Sequence, residues 1–345
     1  MNKIDIKNLS KQELLLWINN NEVEAYRANQ ILKWVYAEKK DSFSLMSNLP
    51  IKIRELLDDN FVISRLVKEK VLKSNDETCK YLFRLNDGLF IETVLIPEKD
   101  HYTLCVSSQV GCAQNCAFCL TGKNGFFRNL EPSEIINQVM EVLYDIPNSS
   151  PKRLTNIVFM GMGEPLANYK NLVKAIEIIV DSKEGLNFST RRVTVSTAGL
   201  VPLMEKLGNE TKINLAVSLN ASDDETRNTL MPINQKYPLD VLIEACKGFP
   251  LPKRRRITFE YILIKDVNDS DKDAERLVKL LRTVKAKINL IPFNEHLESP
   301  FKRPDESRIF HFQEILAANN YTVIIRNSKG QDISAACGQL STQEK

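Results

Sequence analysis

From about residue 100 onward the chain alternates short apolar runs with amphipathic stretches, and this rhythm most restricts what it can fold into. Strands are expected at residues 103–107, 156–160, 193–196, 213–218, 257–264 and 288–292. Helical spacing fills the gaps. In 132–144, Ile135, Ile136, Val139, Val142 and Leu143 fall on one stripe, and 172–180 and 274–284 follow the same pattern. Six strand–helix units in series predict an α/β fold whose parallel sheet curls into a partial (β/α)6 barrel. Barrels of this kind carry their chemistry at the C-terminal ends of the strands.

The flanks differ in character. Residues 1–65 predict a small helical domain, because Leu14, Leu15 and Ile18, then Ile31, Leu32 and Val35, recur at helical spacing. Residues 66–98 predict a β-hairpin extension, with an Asn86-Asp-Gly turn between Tyr81-Leu-Phe-Arg-Leu and Leu89-Phe-Ile-Glu-Thr-Val-Leu-Ile, ended by Pro97. The barrel core is then expected over 99–326, and a C-terminal loop or tail over 327–345.

Charge is nearly balanced, 47 Lys+Arg against 44 Asp+Glu, so any nucleic-acid contact has to come from local clusters. The apolar run 14–17 is too short for a signal peptide, and no stretch reaches the ~18 apolar residues of a membrane helix. A cytoplasmic protein with no membrane association is expected, and a monomer. Seven cysteines in a reducing compartment point away from a disulfide scaffold and towards metal or redox chemistry.

Three of them form the strongest local signal. Cys112-Ala-Gln-Asn-Cys116-Ala-Phe-Cys119 follows the first barrel strand. Thiolates spaced by three and then two residues can wrap a short loop around one face of an iron–sulfur cube. A fully protein-held cube takes four thiolates, and no fourth cysteine stands nearby at a ligand-like spacing, so one iron is left open. An open iron can chelate the amino and carboxylate groups of S-adenosylmethionine (SAM), whose reductive cleavage gives a 5′-deoxyadenosyl radical. The competing reading is a structural zinc site. Zinc favours four ligands in paired C-x2-C knuckles, and only one such pair exists, with His101, His296 and His311 all distant in sequence.

Gly161-Met-Gly-Glu164-Pro165, after the second strand, adds glycines that let backbone approach a ligand and a carboxylate able to accept from an ammonium group. With Cys105-Val-Ser-Ser-Gln-Val-Gly-Cys112, Thr121-Gly, Gly125-Phe and Arg128-Asn-Leu, it resembles the radical SAM adenine C2-methyltransferases of the RlmN type, within the RlmN/Cfr superfamily. Val195-Ser-Thr, Leu230-Met-Pro-Ile-Asn, Asn289-Leu-Ile-Pro-Phe-Asn, Ala336-Cys-Gly-Gln-Leu and the N-terminal Tyr26-Arg-Ala-x-Gln-Ile continue the likeness over nearly the whole chain.

The resemblance implies a [4Fe-4S] cluster on Cys112, Cys116 and Cys119, and SAM, two per turnover. It implies that Cys337 carries the methyl group, Cys105 resolves the RNA adduct through a disulfide, and Glu92 accepts a proton. SAM contacts would fall on Gly163, Glu164, Ser196, Ser218, Leu219, Asn220 and Asn294. The family usually has His where Asn220 stands; Asn keeps donor and acceptor but cannot titrate. The implied substrates are 23S rRNA, in the peptidyl transferase centre, and tRNA, at adenosine 37. The implied electron source is a low-potential donor such as flavodoxin or ferredoxin.

RNA contact is expected from Lys253-Arg-Arg-Arg256, from Lys123 and Arg128 beside the cluster loop, and from Arg65, Lys68, Lys70 and Lys73. Two rivals stand beside this reading: an adenine C8-methylating enzyme of the Cfr type, and a non-enzymatic iron–sulfur or RNA-binding protein. Cys79 and Cys246 match no motif and read as structural.

Overall fold

The structure, a computed structural model, describes residues 3–147, 149–296 and 299–341. The extreme ends of the expected first and last segments therefore lie outside the described residues. In chain order the N-terminal part holds β1 (Ile4–Asp5), α1 (Lys11–Asn20), α2 (Arg27–Leu32), α3 (Ile51–Asn60) and β2 (Phe61–Val62). Then come β3 (Val67–Lys73), β4 (Cys79–Arg84), β5 (Phe90–Pro97), β6 (His101–Cys105), β7 (Gln109–Gly111), α4 (Leu120–Lys123) and β8 (Phe126–Asn129). The barrel continues through α5 (Pro132–Asp145), β9 (Arg153–Phe159), α6 (Tyr169–Val180), β10 (Val193–Thr197), α7 (Val201–Thr211) and β11 (Asn214–Ser218). It ends with α8 (Asp224–Leu230), α9 (Leu239–Gly248), β12 (Ile257–Leu263), α10 (Asp271–Leu281), β13 (Ala286–Pro292), α11 (Glu306–Ala318) and β14 (Val323–Ile325).

All six expected barrel strands form, as β6, β9, β10, β11, β12 and β13, neighbours in that order and parallel. The apolar runs are buried by helices on one face and by a central cavity on the other, which is why they read as continuous rather than alternating. Side chains from β5, β6, β9, β10, β11, β12 and β13 all line one cavity, so the sheet is curled around it. The barrel stays open, because β14 and β3 end the ten-stranded sheet without meeting.

Three differences from expectation matter for the site. The hairpin β4–β5 is part of a meander with β3, and β5 pairs antiparallel with β6, so the extension continues the barrel sheet. A seventh parallel strand, β14, adds beside β13. The helical N-terminal tract also contains a short parallel ladder, β1 with β2. That tract docks on α5 through Lys7, only 1% exposed, whose Nζ donates to Asn137 Oδ1 at 2.6 Å and to the Ser64 carbonyl. A buried ammonium is tolerated only when its donors are satisfied. Among the described residues, no helix is long and apolar enough to cross a membrane.

Candidate active site

The cysteine loop hangs from the C-terminal end of β6 and is gripped at its base by the hairpin β7–β8. Cys112 N–H donates to the Gly125 carbonyl at 2.9 Å. A Cβ on Gly111 would lie 1.9 Å from that same oxygen, and Gly111 has φ +75°, so only glycine fits. Farther along, Ala117 N–H donates to the Leu230 carbonyl at the end of α8, and Leu120 N–H to the Gly338 carbonyl of the C-terminal segment. The loop is thus tied to three separate elements.

Cys112, Cys116 and Cys119 all line the cavity. Burial pushes the Cys112 thiol up to about 12, and Cys116 is raised by burial and by its two neighbours when ionised. Such thiols hold their protons at neutral pH until metal displaces them. The three sulfurs are near enough to raise one another when ionised and face one cavity. Zinc takes four ligands, and three thiolates at one cavity wall fit an iron–sulfur cube that keeps one iron open.

Beside the loop, Gly161, Gly163, Glu164, Ser196, Ser218 and Asn220 line the same cavity. The glycines answer to the protein itself. A Cβ at Gly163 (φ +96°) would sit 2.5 Å from Gln109 Cβ, and one at Gly161 would sit 2.8 Å from the Val106 backbone. Gln109 Oε1 accepts from Glu164 N–H at 2.8 Å, fixing the carboxylate's position. Glu164 accepts from Leu166 N–H and Ala198 N–H at 3.0 and 2.7 Å, yet burial still raises its pKa to about 6. Each carboxylate oxygen keeps a lone pair for a cationic ligand.

Asn220 adopts the left-handed conformation (φ +57°), which Asn tolerates better than most residues. Its Oδ1 accepts from Ile262 N–H at 2.9 Å and its Nδ2 donates to Met231 Sδ. The side chain therefore braces β12 rather than offering a proton. Leu219 and Asn294 stand apart from the lining. Leu219 is fully buried and contributes backbone, while Asn294 Nδ2 donates to the Cys337 carbonyl at 3.2 Å.

Cys105 and Cys337, 232 positions apart in sequence, line this one cavity. Both are free thiols, and each is raised, Cys337 to about 11, chiefly by burial. Cys337 is exposed and lines the cavity. Glu92 lies on the same face of β5 as Val94 and Ile96, but above them at the rim and outside the lining. Its Oε1 meets Lys80 Nζ at 2.7 Å and its Oε2 accepts from Ser341 N–H at 2.8 Å.

Glu260 escaped the sequence reading. It is the one acid in the apolar strand Ile257-Thr-Phe-Glu-Tyr-Ile-Leu, and that isolation was the available signal. It lines the cavity and accepts from Ser196 Oγ at 2.8 Å. The expected basic clusters fare unevenly. Lys253–Arg256 precedes β12, at the barrel end opposite the cavity, where Arg255 donates to the Lys212 carbonyl. Arg65 is bidentate to Glu141, Lys68 meets Asp145, and Arg128 holds Asp87 and Glu134. Those charges are already compensated.

Two family models match: the radical SAM superfamily over residues 106–278, and the ribosomal RNA large subunit methyltransferase N-terminal domain over residues 4–63. The dual-specificity RNA methyltransferase RlmN of Desulfosudis oleivorans is 56% identical over 341 residues, 99% of this chain and 91% of that protein. The protein of the same name from Geobacter sulfurreducens is 54% identical over 337 residues, 98% of this chain and 92% of its own. Among solved structures, a radical SAM methyltransferase from Sphaerobacter thermophilus superposes with a TM-score of 0.89 at 42% identity, covering 99% of this chain and 100% of that one. Family models for the N-terminal tract and for the barrel, and relatives alike over nearly the full length, place the chain in the RlmN family of radical SAM enzymes.

Proposed function

We propose that the chain methylates C2 of adenine in RNA, in the peptidyl transferase centre of 23S rRNA and at adenosine 37 of tRNA, through a methyl-Cys337 intermediate. The observation that carries this is the gathering of five cysteines in one cavity at the C-terminal strand ends: the triplet, Cys105 and Cys337. The relatives' names, which specify a dual-specificity RNA methyltransferase, support the substrate class.

C2 of adenine is too electron-poor to take a methyl group directly from a sulfonium. Cys112, Cys116 and Cys119 would hold a [4Fe-4S] cluster, with SAM placed by Gly163, Glu164, Ser196, Ser218, Leu219 and Asn220. When bound, these groups supply a 5′-deoxyadenosyl radical. The Cys337 thiolate takes a methyl group from one SAM by displacement, and its S-methyl then gives up hydrogen and bonds to C2; a second SAM is used per turnover. Once the adduct has lost its C2 proton and returned its unpaired electron to the redox centre, the Cys105 thiolate attacks the Cys337 sulfur; the carbon–sulfur bond breaks with its pair to carbon, which takes a proton to become the methyl group, and a Cys105–Cys337 disulfide is left. Glu92 or Cys105 removes the C2 proton. Asn294 would meet SAM from beside Cys337, whose carbonyl it holds. The enzyme works in the cytoplasm as a monomer, with flavodoxin or ferredoxin as reductant.

The test is anaerobic reconstitution with RNA, SAM and a low-potential reductant, read by mass spectrometry of digested RNA. Formation of 5′-deoxyadenosine and 2-methyladenosine is expected, and Cys337→Ala abolishes the second while iron content persists. A methyl group on C8 would assign the chain to the C8-methylating branch. No SAM cleavage would leave an electron carrier or RNA-binding protein.

A further inference from the structure

Arg227, on α8, is fully buried, with 0% of its surface exposed. Its guanidinium donates from Nε to the Leu219 carbonyl at 3.0 Å, from Nη1 to Asn234 Oδ1 at 2.8 Å, and from Nη2 to the Ala198 and Ser218 carbonyls at 2.8 and 3.2 Å. Every partner is neutral. Among the described residues no carboxylate forms an ion pair with it, although Arg65, Arg128 and Arg276 each have one. The Asp224 carboxylate reaches it only through the Asn234 amide, and a buried charge with no carboxylate in direct contact is costly to keep, so further compensation has to come from elsewhere.

The surroundings name the source. Ala198, Ser218 and Leu219 end β10 and β11 at the cavity, and α8 also receives the cluster loop through the Ala117 to Leu230 hydrogen bond. Burial lowers the arginine's pKa to about 10, and the strongest opposing influence is the Cys116 sulfur when ionised, ahead of Asp224 and Cys246. An iron–sulfur cube held by three thiolates is net negative, and one charge more negative once reduced.

We propose that Arg227 is the fixed counter-charge of the cluster, a positioning residue that makes reduction of the centre easier by stabilising its more negative state. The role rests on the cluster assignment of the cysteine triplet. Reduction potentials of such centres respond to net charge, hydrogen bonding and solvent exposure. Arg227 adds a full positive charge in a dry site, and its four hydrogen bonds keep it from turning away. The same bonds fix the ends of β10 and β11, so a purely structural role has to be separated from an electrostatic one.

The measurement is a redox titration of the anaerobically reconstituted protein, following the electron paramagnetic resonance of the reduced cluster, with iron and sulfide content determined on each sample. Arg227→Gln is expected to lower the reduction constant at least tenfold, a midpoint about 59 mV more negative for one electron. Arg227→Lys keeps the charge and stays within that margin of the parent while losing thermal stability. Asp224→Asn provides a variant independent of the arginine. It removes the carboxylate that most supports the guanidinium charge, while its amide oxygen can still accept from Asn234 and Leu239 as Asp224 Oδ1 does. Its midpoint should move the other way, to less negative values. Midpoints unmoved in Arg227→Gln and Asp224→Asn, or shifted equally in Arg227→Gln and Arg227→Lys, overturn the proposal. Parent protein that takes up no iron and sulfide rejects the cluster assignment itself, a separate failure.

Discussion

Replacing Lys80 with methionine should cost the fold several kcal/mol and loosen the segment that carries Cys337. Lys80 lies on β4 and is 9% exposed; its Nζ is 2.7 Å from Glu92 Oε1 and donates to the Ser334 carbonyl at 3.2 Å. Glu92 in turn accepts from Ser341 N–H. One ion pair therefore pins residues 334 and 341, with Cys337 between them. Methionine keeps the stem's packing but takes the ammonium away from the Glu92 carboxylate, itself 5% exposed. Removing one member of a buried pair costs about 3–5 kcal/mol. With an unfolding entropy of about 2.1 cal/mol/K per residue, 345 residues give roughly 0.7 kcal/mol/K, so the melting point falls by about 4–7 °C if the chain melts as one unit.

The assay is differential scanning calorimetry of the reconstituted protein, run as a double-mutant cycle over Lys80→Met, Glu92→Gln and the pair together. If the loss comes from a carboxylate without its ammonium, adding Glu92→Gln to Lys80→Met restores about 2 kcal/mol or more, because a neutral amide needs no counter-ion. Additive losses in the double variant would refute the reasoning and leave Lys80 as a packing residue.

Four other outcomes follow from the site. Glu164 takes up a proton more readily folded than unfolded, so the stability tied to its neutral form is full below pH 4.5 and is lost as pH rises through about 6; with Glu164 as the proposed acceptor of SAM's ammonium, SAM binding should weaken about tenfold per pH unit below 6, as read by equilibrium dialysis. Gly163→Ala forces a Cβ into Gln109 and strains a left-handed backbone, so chemical denaturation should show about 2 kcal/mol or more lost and SAM affinity should fall with it. Asn220→Ala leaves Ile262 N–H without its acceptor and adds left-handed strain, for about 2–4 kcal/mol, while Asn220→Gly escapes the strain and should melt higher than Asn220→Ala. Cys105→Ala should accumulate RNA bonded to Cys337, visible as a band shift on denaturing gels that ribonuclease removes.

The barrel strands β6 and β9 to β13 were legible because each carries a largely buried apolar run between helical stretches, and the triplet was legible because its spacing alone suggests a cluster. What stayed hidden is non-local or sits at an edge. β3 reads Val-Lys-Glu-Lys-Val-Leu-Lys, nearly all exposed, as suits the charged edge of a sheet. β14 has three residues, none fully buried, too few for any periodicity. The union of β5 with β6 is a pairing choice that no local pattern encodes. In the site, Asn294 and Glu92 read as site residues, but only the fold shows that each holds the C-terminal segment and that neither lines the cavity. Arg227 looks like one basic residue among many until its burial is known.

The two thiols of the proposed exchange are held in opposite ways. Cys105 ends β6 and is paired with Val94 of β5 on one side and Val158 of β9 on the other. Displacing it would break ladder hydrogen bonds in the middle of the sheet. Cys337 belongs to no helix or strand. Its segment is fastened by single hydrogen bonds: Asn294 to Cys337, Leu120 to Gly338, Thr121 to Leu340, and the Lys80 and Glu92 pair at its two ends. The neutral ones contribute on the order of 1 kcal/mol net each and those to the charged Lys80 and Glu92 about 1.5–3 kcal/mol, so the segment is held most firmly at its two ends and more weakly around Cys337. The backbone is left-handed at Gly330, Ser334 and Gly338, so turning points flank the cysteine. In the proposed exchange Cys105 would therefore be the stationary thiol, and Cys337 the one whose segment has the looser attachment.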